Sequence, residues 1–277
     1  MRVSVWGCRG SLPSPGPEKN RYGGNTSCIH VKHGDSQLIL DGGSGIQRLG
    51  IQLVNNATEY HILLTHLHID HTMGLGFFLP LYNPKVTIHL YGPASSIETL
   101  TDRLRRYFSP PLFPVRLSEL PNHPVIHEVT NGEFEIGDFK ITANYICHPS
   151  ATLGYRIQCE DKVFTYMPDH ELPIGACNFP NDPEWTSGYD IAKDADLLFH
   201  DAQYKTDEYQ KRLGWGHSSF KNAQLFGEMC NVKQMEFFHH DPYHTDEDLD
   251  RMFTDHLASM PIKVPVGMCA EGNVYEL

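Results

Sequence analysis

Residues Leu63–Leu75 read LLTHLHIDHTMGL. His66, His68, Asp70 and His71 fall within six positions, directly behind the apolar residues Ile62–Leu64. Alternate side chains of an extended segment share a face, so His66 and His68 can reach one ion from a strand end. Asp70 and His71 follow in the loop and can turn toward a second. Imidazole nitrogen and carboxylate oxygen suit zinc, manganese or iron. A polar turn with incidental histidines is the plainer reading. Four such groups straight after an apolar strand argue against it.

A two-ion site needs ligands from elsewhere, and the same local setting recurs. His148 follows ITANYIC, Asp169 follows VFTYMP, and His239 follows QMEFF. Each stands where an apolar strand meets a loop. Singly, each is an ordinary strand-end polar residue; beside the first cluster they form a pattern. His240 rivals His239, and the alternation in MEFFHH does not choose between them.

The rest of the chain alternates strand and helix signals. RVSVWG, CIHVKHG, SQLIL, YHILLTH and KVTIHLYGP read as strands, with a turn at Gly34-Asp35. VIHEVTNGEFEIGDFKITANYICHP reads as hairpin-like strands turning at Asn131-Gly132 and Gly137-Asp138. TLGYRIQCEDKVFTYMPD reads as a further pair turning near Glu160-Asp161. IQRLGIQLV, SSIETLTDRLRRYF, SFKNAQLFGEMCN and TDEDLDRMFTDHLA carry helical periods, the last capped by Thr245 or Asp246. Strands then helices, twice over, predict an α/β fold: two sheets packed together with helices outside. No linker or charge block divides residues 1–277, so a single domain is expected.

A chain of 277 residues can bury about three quarters of its unfolded surface and needs no staple to fold. The net charge of −12 speaks against a broad nucleic-acid surface but leaves small anionic ligands open, since a metal supplies local positive charge. The seven cysteines, Cys8, Cys28, Cys147, Cys159, Cys177, Cys230 and Cys269, form no CxxC pair and read as reduced thiols of a cytoplasmic protein. The N-terminus lacks the apolar core of a signal peptide, and no run approaches the ~20 residues of a membrane span.

Taken together, His66, His68, Asp70, His71, His148, Asp169 and His239, in that order, resemble the metallo-β-lactamase fold superfamily. The resemblance covers nearly the whole chain, from DGGSG at Asp41–Gly45 to FFHHDP. It implies a four-layer αββα sandwich of two mixed sheets. It also implies one metal on His66, His68 and His148, a second on Asp70, His71 and His239, and Asp169 bridging both. Two divalent ions are the expected cofactors, zinc first, with manganese or iron as alternatives. Asp41 would be a structural group near the metals, unless DGGSG is only a tight turn. His170 and His244 would be loop or supporting residues, and His30, His33, His61, His89, His123, His127 and His256 ordinary ones.

A narrower similarity concerns DADLLFHDAQY followed by GWGHSSFKNA. These resemble the strand end and loop of the superfamily's phosphodiesterase branch, which includes ribonuclease Z. The matching pair is Asp201 and His217, with Asp where the branch has Glu. The implied chemistry is hydrolysis of a phosphodiester by a hydroxide bridging the metals, with His217 protonating the leaving group. A packing or capping role beside the following helix is the alternative for His217.

The substrate expected on this resemblance is a small phosphodiester. WGCRGSLPSPGP and YGGNTSC look like the N-terminal signature of cyclic-nucleotide and cyclic ribose phosphate phosphodiesterases, of which cyclic nucleotides are preferred. In Leu104–Leu120, one of Tyr107, Phe108 and Phe113 could stack on a base and Arg105 or Arg106 meet phosphate; core packing or a dimer contact is the favoured reading. The tRNA-gripping arm of ribonuclease Z often lies between the positions of His148 and Asp169. The connection there is short, so tRNA is not expected. Alternatives are a ribonuclease Z-like nuclease, a lactonase, thioesterase, arylsulfatase or β-lactamase, and a non-catalytic metal or nucleotide sensor. The fold's di-iron oxygen-reducing proteins carry glutamate where this chain has His68. Relatives are often homodimers.

Overall fold

The computed structural model describes residues 1–172, 179–180 and 182–277. Six strands build most of the first sheet: β1 (Arg2–Gly7), β2 (Cys28–His33), β3 (Ser36–Leu40), β4 (Glu59–Leu63), β5 (Thr87–Pro93) and β6 (Val125–Val129). The second sheet takes β7 (Gly132–Ile136), β8 (Phe139–Tyr145), β9 (Leu153–Cys159), β10 (Lys162–Met167), β11 (Leu197–Asp201), β12 (Met235–Phe238) and β13 (Val266–Met268). A last strand, β14 (Val274–Glu276), returns to the first sheet beside β1. Both sheets are mixed, ordered β14-β1-β2-β3-β4-β5-β6 and β13-β12-β11-β10-β9-β8-β7. The helices are α1 (Ile46–Leu53), α2 (Ile69–Thr72), α3 (Leu100–Tyr107), α4 (Tyr189–Ala192), α5 (Thr206–Tyr209), α6 (Phe220–Met229) and α7 (Asp246–Ser259).

Period-two alternation sorts the apolar side chains into three cores. Leu38, Leu40 and Leu63 meet Ile157, Tyr166 and Phe199 between the sheets. Ile39 and Ile62 point the other way, onto Leu49 of α1 and Leu104 of α3. Leu198 and Phe237 turn outward onto Phe226 of α6 and Met252 of α7. Three apolar layers between four structural ones give the αββα sandwich. Thr245 caps α7, its hydroxyl accepting from the Asp248 amide at 3.1 Å.

One expected hairpin is absent. Asn131-Gly132 does not fold β6 back on β7; β6 pairs parallel with β5 in the first sheet, while β7 pairs with β8 in the second. The turn residues mark a crossing between sheets, because β6 finds its partner in the preceding strand. The short strands β13 and β14 carry too few residues for a pattern, and sequence reading missed them. The turns at Gly137-Asp138 and Glu160-Asp161 do close hairpins.

Leu104–Leu120 packs as core. Phe108 and Phe113 are buried against Leu75 and Phe78, and the Tyr107 hydroxyl donates to the Met73 carbonyl at 2.5 Å. Arg105 pairs with Asp102, and Arg106 with Glu98. This removes the structural argument for a base-stacking role of the segment. Cys8, Cys28, Cys147, Cys159, Cys230 and Cys269 are free thiols; Cys177 lies outside the described residues. Among the described residues no helix is long and apolar enough to cross a membrane.

Candidate metal centre

The strands β4, β8, β10, β11 and β12 all end at one edge of the sandwich, and each delivers a functional side chain there. His66 and His68 follow β4, and Asp70 and His71 lie on α2. His148 follows β8, Asp169 follows β10, Asp201 is the last residue of β11, and His239 directly follows β12. Strand ends that converge from two sheets can hold rigid ligands around a common point.

The seven side chains separate into two groups. His66, His68 and His148 form one; Asp70, His71, Asp169 and His239 form the other, and within each the donor atoms lie within 4.8 Å of one another. The Asp169 carboxylate stands between them. Its Oδ2 is 3.8 Å from His66 Nε2 and 3.8 Å from His148 Nε2. Its Oδ1 is 3.0 Å from His71 Nε2 and 3.3 Å from His239 Nε2. Asp70 Oδ2 lies 3.2 Å from His71 Nε2 and 3.1 Å from His239 Nε2.

These atoms suit cations. His66 Nε2, His71 Nε2 and Asp169 Oδ1 are buried and make no hydrogen bond, a costly state for polar atoms unless something else engages them. Burial pushes His66 well below its usual value and His148 down to about 4, so both rings are neutral at physiological pH, the form that can ligate a metal. Burial would raise Asp169, but His239, His71 and His66 hold its carboxyl well below the usual range. Burial would lower His71, but Asp169, Asp70 and Asp41 raise it strongly, and the same negative field favours a cation.

Neighbours fix which ring nitrogen faces the centre. His71 Nδ1 donates to Asp41 Oδ2 at 2.8 Å. His66 Nδ1 donates to the Thr65 hydroxyl at 3.1 Å, which itself donates to Asp41 at 3.0 Å. Tyr166 OH donates to Asp41 Oδ2 at 3.0 Å. Asp41 therefore orients one histidine from each group. His148 Nδ1 donates to the Gly216 carbonyl at 2.8 Å. Such partners fix the tautomer and raise ligand basicity.

The backbone is constrained at the same places. Asp41 and His239 adopt left-handed conformations, with φ of 59° and 63°. Gly43 lies so close to Asp70 that a Cβ would stand 2.3 Å from the Asp70 carbonyl oxygen. At Gly216, φ is 93° and a Cβ would stand 2.2 Å from His148 Nδ1. The DGGSG turn is tight and also supports the centre. Of the rivals, His239 faces the centre, while His240 turns away and donates to the Cys269 carbonyl at 2.7 Å.

Asp201 and His217 are in contact, with His217 Nδ1 2.7 Å from Asp201 Oδ2, so the shorter acid still reaches. The Gln203 and Ser218 amides donate to Asp201 Oδ1, both at 3.1 Å. Burial would lower His217, but Asp201 and Asp169 lift it to about 9. Its ring lines a cleft of about 290 Å³ together with Ser11, His68, Ile69, Asp70, Asp169 and His239. His170 is buried, its Nδ1 2.9 Å from His200 Nε2; His244 reaches Glu208 at 3.1 Å.

Sequence reading missed three supports. The Ser11 amide donates to Asp70 Oδ2 at 2.8 Å. Glu171 accepts from the amides of Gly214 and Gly216, both at 2.7 Å, clamping the loop that carries His217. Thr65 is the third. Only Thr65, one residue before His66, carried a local signal.

A profile described as the beta-lactamase superfamily domain matches residues 54–240. The chain belongs to the beta-lactamase superfamily. Within it, the curated relatives it matches include several named ribonuclease Z. A ribonuclease Z of Haloarcula marismortui is 23% identical over 86% of this chain and 86% of its own length. Among solved structures, the metallo-beta-lactamase fold protein YhfI from Bacillus subtilis has a TM-score of 0.72 and 18% identity, over 100% of this chain and 99% of that one. A diphosphatase from the PhnP family has a TM-score of 0.70 and 18% identity, over 100% and 98%. The sandwich is thus the superfamily's fold. The relatives named ribonuclease Z and the PhnP-family diphosphatase indicate a metal-dependent hydrolase, and the chain's His/Asp cluster suits divalent ions.

Proposed function

We propose that the protein is a phosphodiester hydrolase that works with two divalent ions, zinc being the ion its donor set favours and manganese and iron its alternatives. His66, His68 and His148 would hold one ion, Asp70, His71 and His239 the other, and Asp169 both. Ions bound there supply an activated water and offset the charge that builds on phosphate oxygens. The chain's own contribution is the proton. Asp201 holds His217 by Nδ1, leaving Nε2 as the free nitrogen on the cleft side. With a pKa of about 9 the ring is protonated at neutral pH and is an acid, not a base. As the P–O bond breaks, the Nε2 proton passes to the leaving oxygen, and the neutral ring regains one from solvent.

The observation that carries this reading is the 2.7 Å His217–Asp201 contact beside the two ligand groups. A lactonase or β-lactamase needs the ions but not this pair. The ribonuclease Z and PhnP-family relatives support phosphodiester chemistry. They divide on size: the first favours RNA, against the sequence expectation that tRNA is not a substrate. The net charge of −12 and the short β9–β10 connection between His148 and Asp169 favour a small phosphodiester. Cyclic mononucleotides belong to that class, though none of the described residues lining the cleft selects them.

The test is turnover by zinc-loaded protein of bis(p-nitrophenyl) phosphate, cyclic mononucleotides, a small RNA, a lactone and a β-lactam. Cleavage of the first two groups is expected, and activity on only the last two overturns the reading. His217→Ala should lose roughly 10²–10⁴-fold on a poor leaving group and far less on p-nitrophenolate.

A further inference from the structure

Three histidines outside the centre stand side by side on neighbouring parallel strands: His61 on β4, His89 on β5 and His127 on β6. None belongs to a sequence motif, because register alone brings them together. His61 and His89 are direct cross-strand partners. Glu59 lies two residues before His61 and so shares its face. The two rings stack with centroids 4.8 Å apart and 17° between planes. Both present Nε2 to one carboxylate oxygen: Glu59 Oε1 is 2.9 Å from His89 Nε2 and 3.4 Å from His61 Nε2. One donor atom from each of the three lies within 4.8 Å of the others.

The outward nitrogens are also engaged. His89 Nδ1 is 2.9 Å from His127 Nε2, and His61 Nδ1 is 3.3 Å from the Tyr91 hydroxyl. Without an ion, His89 Nε2–H donates to Glu59; with Nδ1–H donated outward instead, each ring would offer its Nε2 lone pair to an ion placed between the rings and the carboxylate. That is the arrangement of metal-ligating histidines, whose second nitrogen is held by a neighbour. Among the described residues, Glu59 forms ion pairs with no lysine or arginine. Its side chain is 53% exposed, and Glu59 and His61 open onto a groove of about 940 Å³ that gives an ion access and water for its remaining positions.

We propose that Glu59, His61 and His89 form a further metal site, separate from the hydrolytic centre, for a borderline dication such as zinc. Two imidazoles and one carboxylate suit zinc, nickel or copper, and not magnesium or calcium, which prefer all-oxygen shells. The ion would tie β4 to β5 at the end of β4 remote from His66. His127 holds His89 in the ligating tautomer and is a positioning residue.

The test is zinc per chain, measured by elemental analysis after equilibration with buffered zinc, on the intact protein and on His61→Ala/His89→Ala. Wild type should hold one zinc more than the double variant, while both hydrolyse bis(p-nitrophenyl) phosphate equally or, if that substrate is not cleaved, still differ by one zinc. Glu59→Gln, a surface change that leaves the fold alone, should weaken the extra zinc at least 10-fold. His127→Phe should weaken it roughly 10–100-fold. Equal zinc in wild type, the double variant and Glu59→Gln overturns the proposal and leaves the four side chains as a hydrogen-bonded array.

Discussion

Asp41 shows how much one carboxylate does without belonging to either group of candidate ligands. It receives His71 directly and His66 through the Thr65 hydroxyl. Asp41→Asn keeps the size but puts an NH₂ where one acceptor oxygen stood, so a histidine must turn or give up its partner. Metal affinity should fall roughly 10–100-fold at the centre, read by competition with a chromogenic chelator. Unchanged affinity would reduce Asp41 to a turn residue. The HxHxDH cluster is legible in the sequence because its members fall within six positions. Ser11 and Glu171 are not, since Asp70 lies 59 residues from Ser11, and Gly216 lies 45 from Glu171. Only the fold sets such pairs beside each other.

At the scale of elements, apolar runs and turns were readable wherever a strand pairs with its sequence neighbour, as at β2–β3 and β9–β10. They misled at Asn131-Gly132, where turn chemistry is the same for a hairpin and for a crossing between sheets. The end of β11 adds a pH-sensitive packing element. His200 is buried against Phe226 of α6, and burial lowers it to about 4. Unfolded, it would titrate near 6.5. Stability is intact above about pH 6.5 and falls as pH drops toward 4, because only the unfolded chain takes up the proton in that range. Between pH 7 and pH 5 this one group should cost about 2 kcal/mol. Urea unfolding at both pH values should show His200→Gln losing that much less than wild type. Equal losses would place the acid sensitivity elsewhere.

For the whole molecule, the candidate ligands run from His66 to His239 and come from both sheets, so no unfolded chain presents them together. Ions held at the centre therefore stabilise only the folded state. At free zinc near 1,000 times the dissociation constant the gain is about 4 kcal/mol. Chelation should lower the thermal midpoint, zinc should restore it, and magnesium should not; a midpoint indifferent to chelator would argue against the centre. Superfamily and sandwich were both legible from strand-end histidines and aspartates, because chemistry and architecture share those positions. The substrate was not, since cleft shape depends on loops without a local signature.

His239 sits at φ 63°, a conformation that glycine adopts freely and other residues resist. Natural selection of a fold for robustness alone would put glycine there. His239→Gly and His239→Ala both delete the imidazole, yet in ion-free protein the glycine form should unfold about 1 kcal/mol later than the alanine form. That gap would measure, in one pair of melting curves, the conformational tension the molecule tolerates to keep a nitrogen aimed inward.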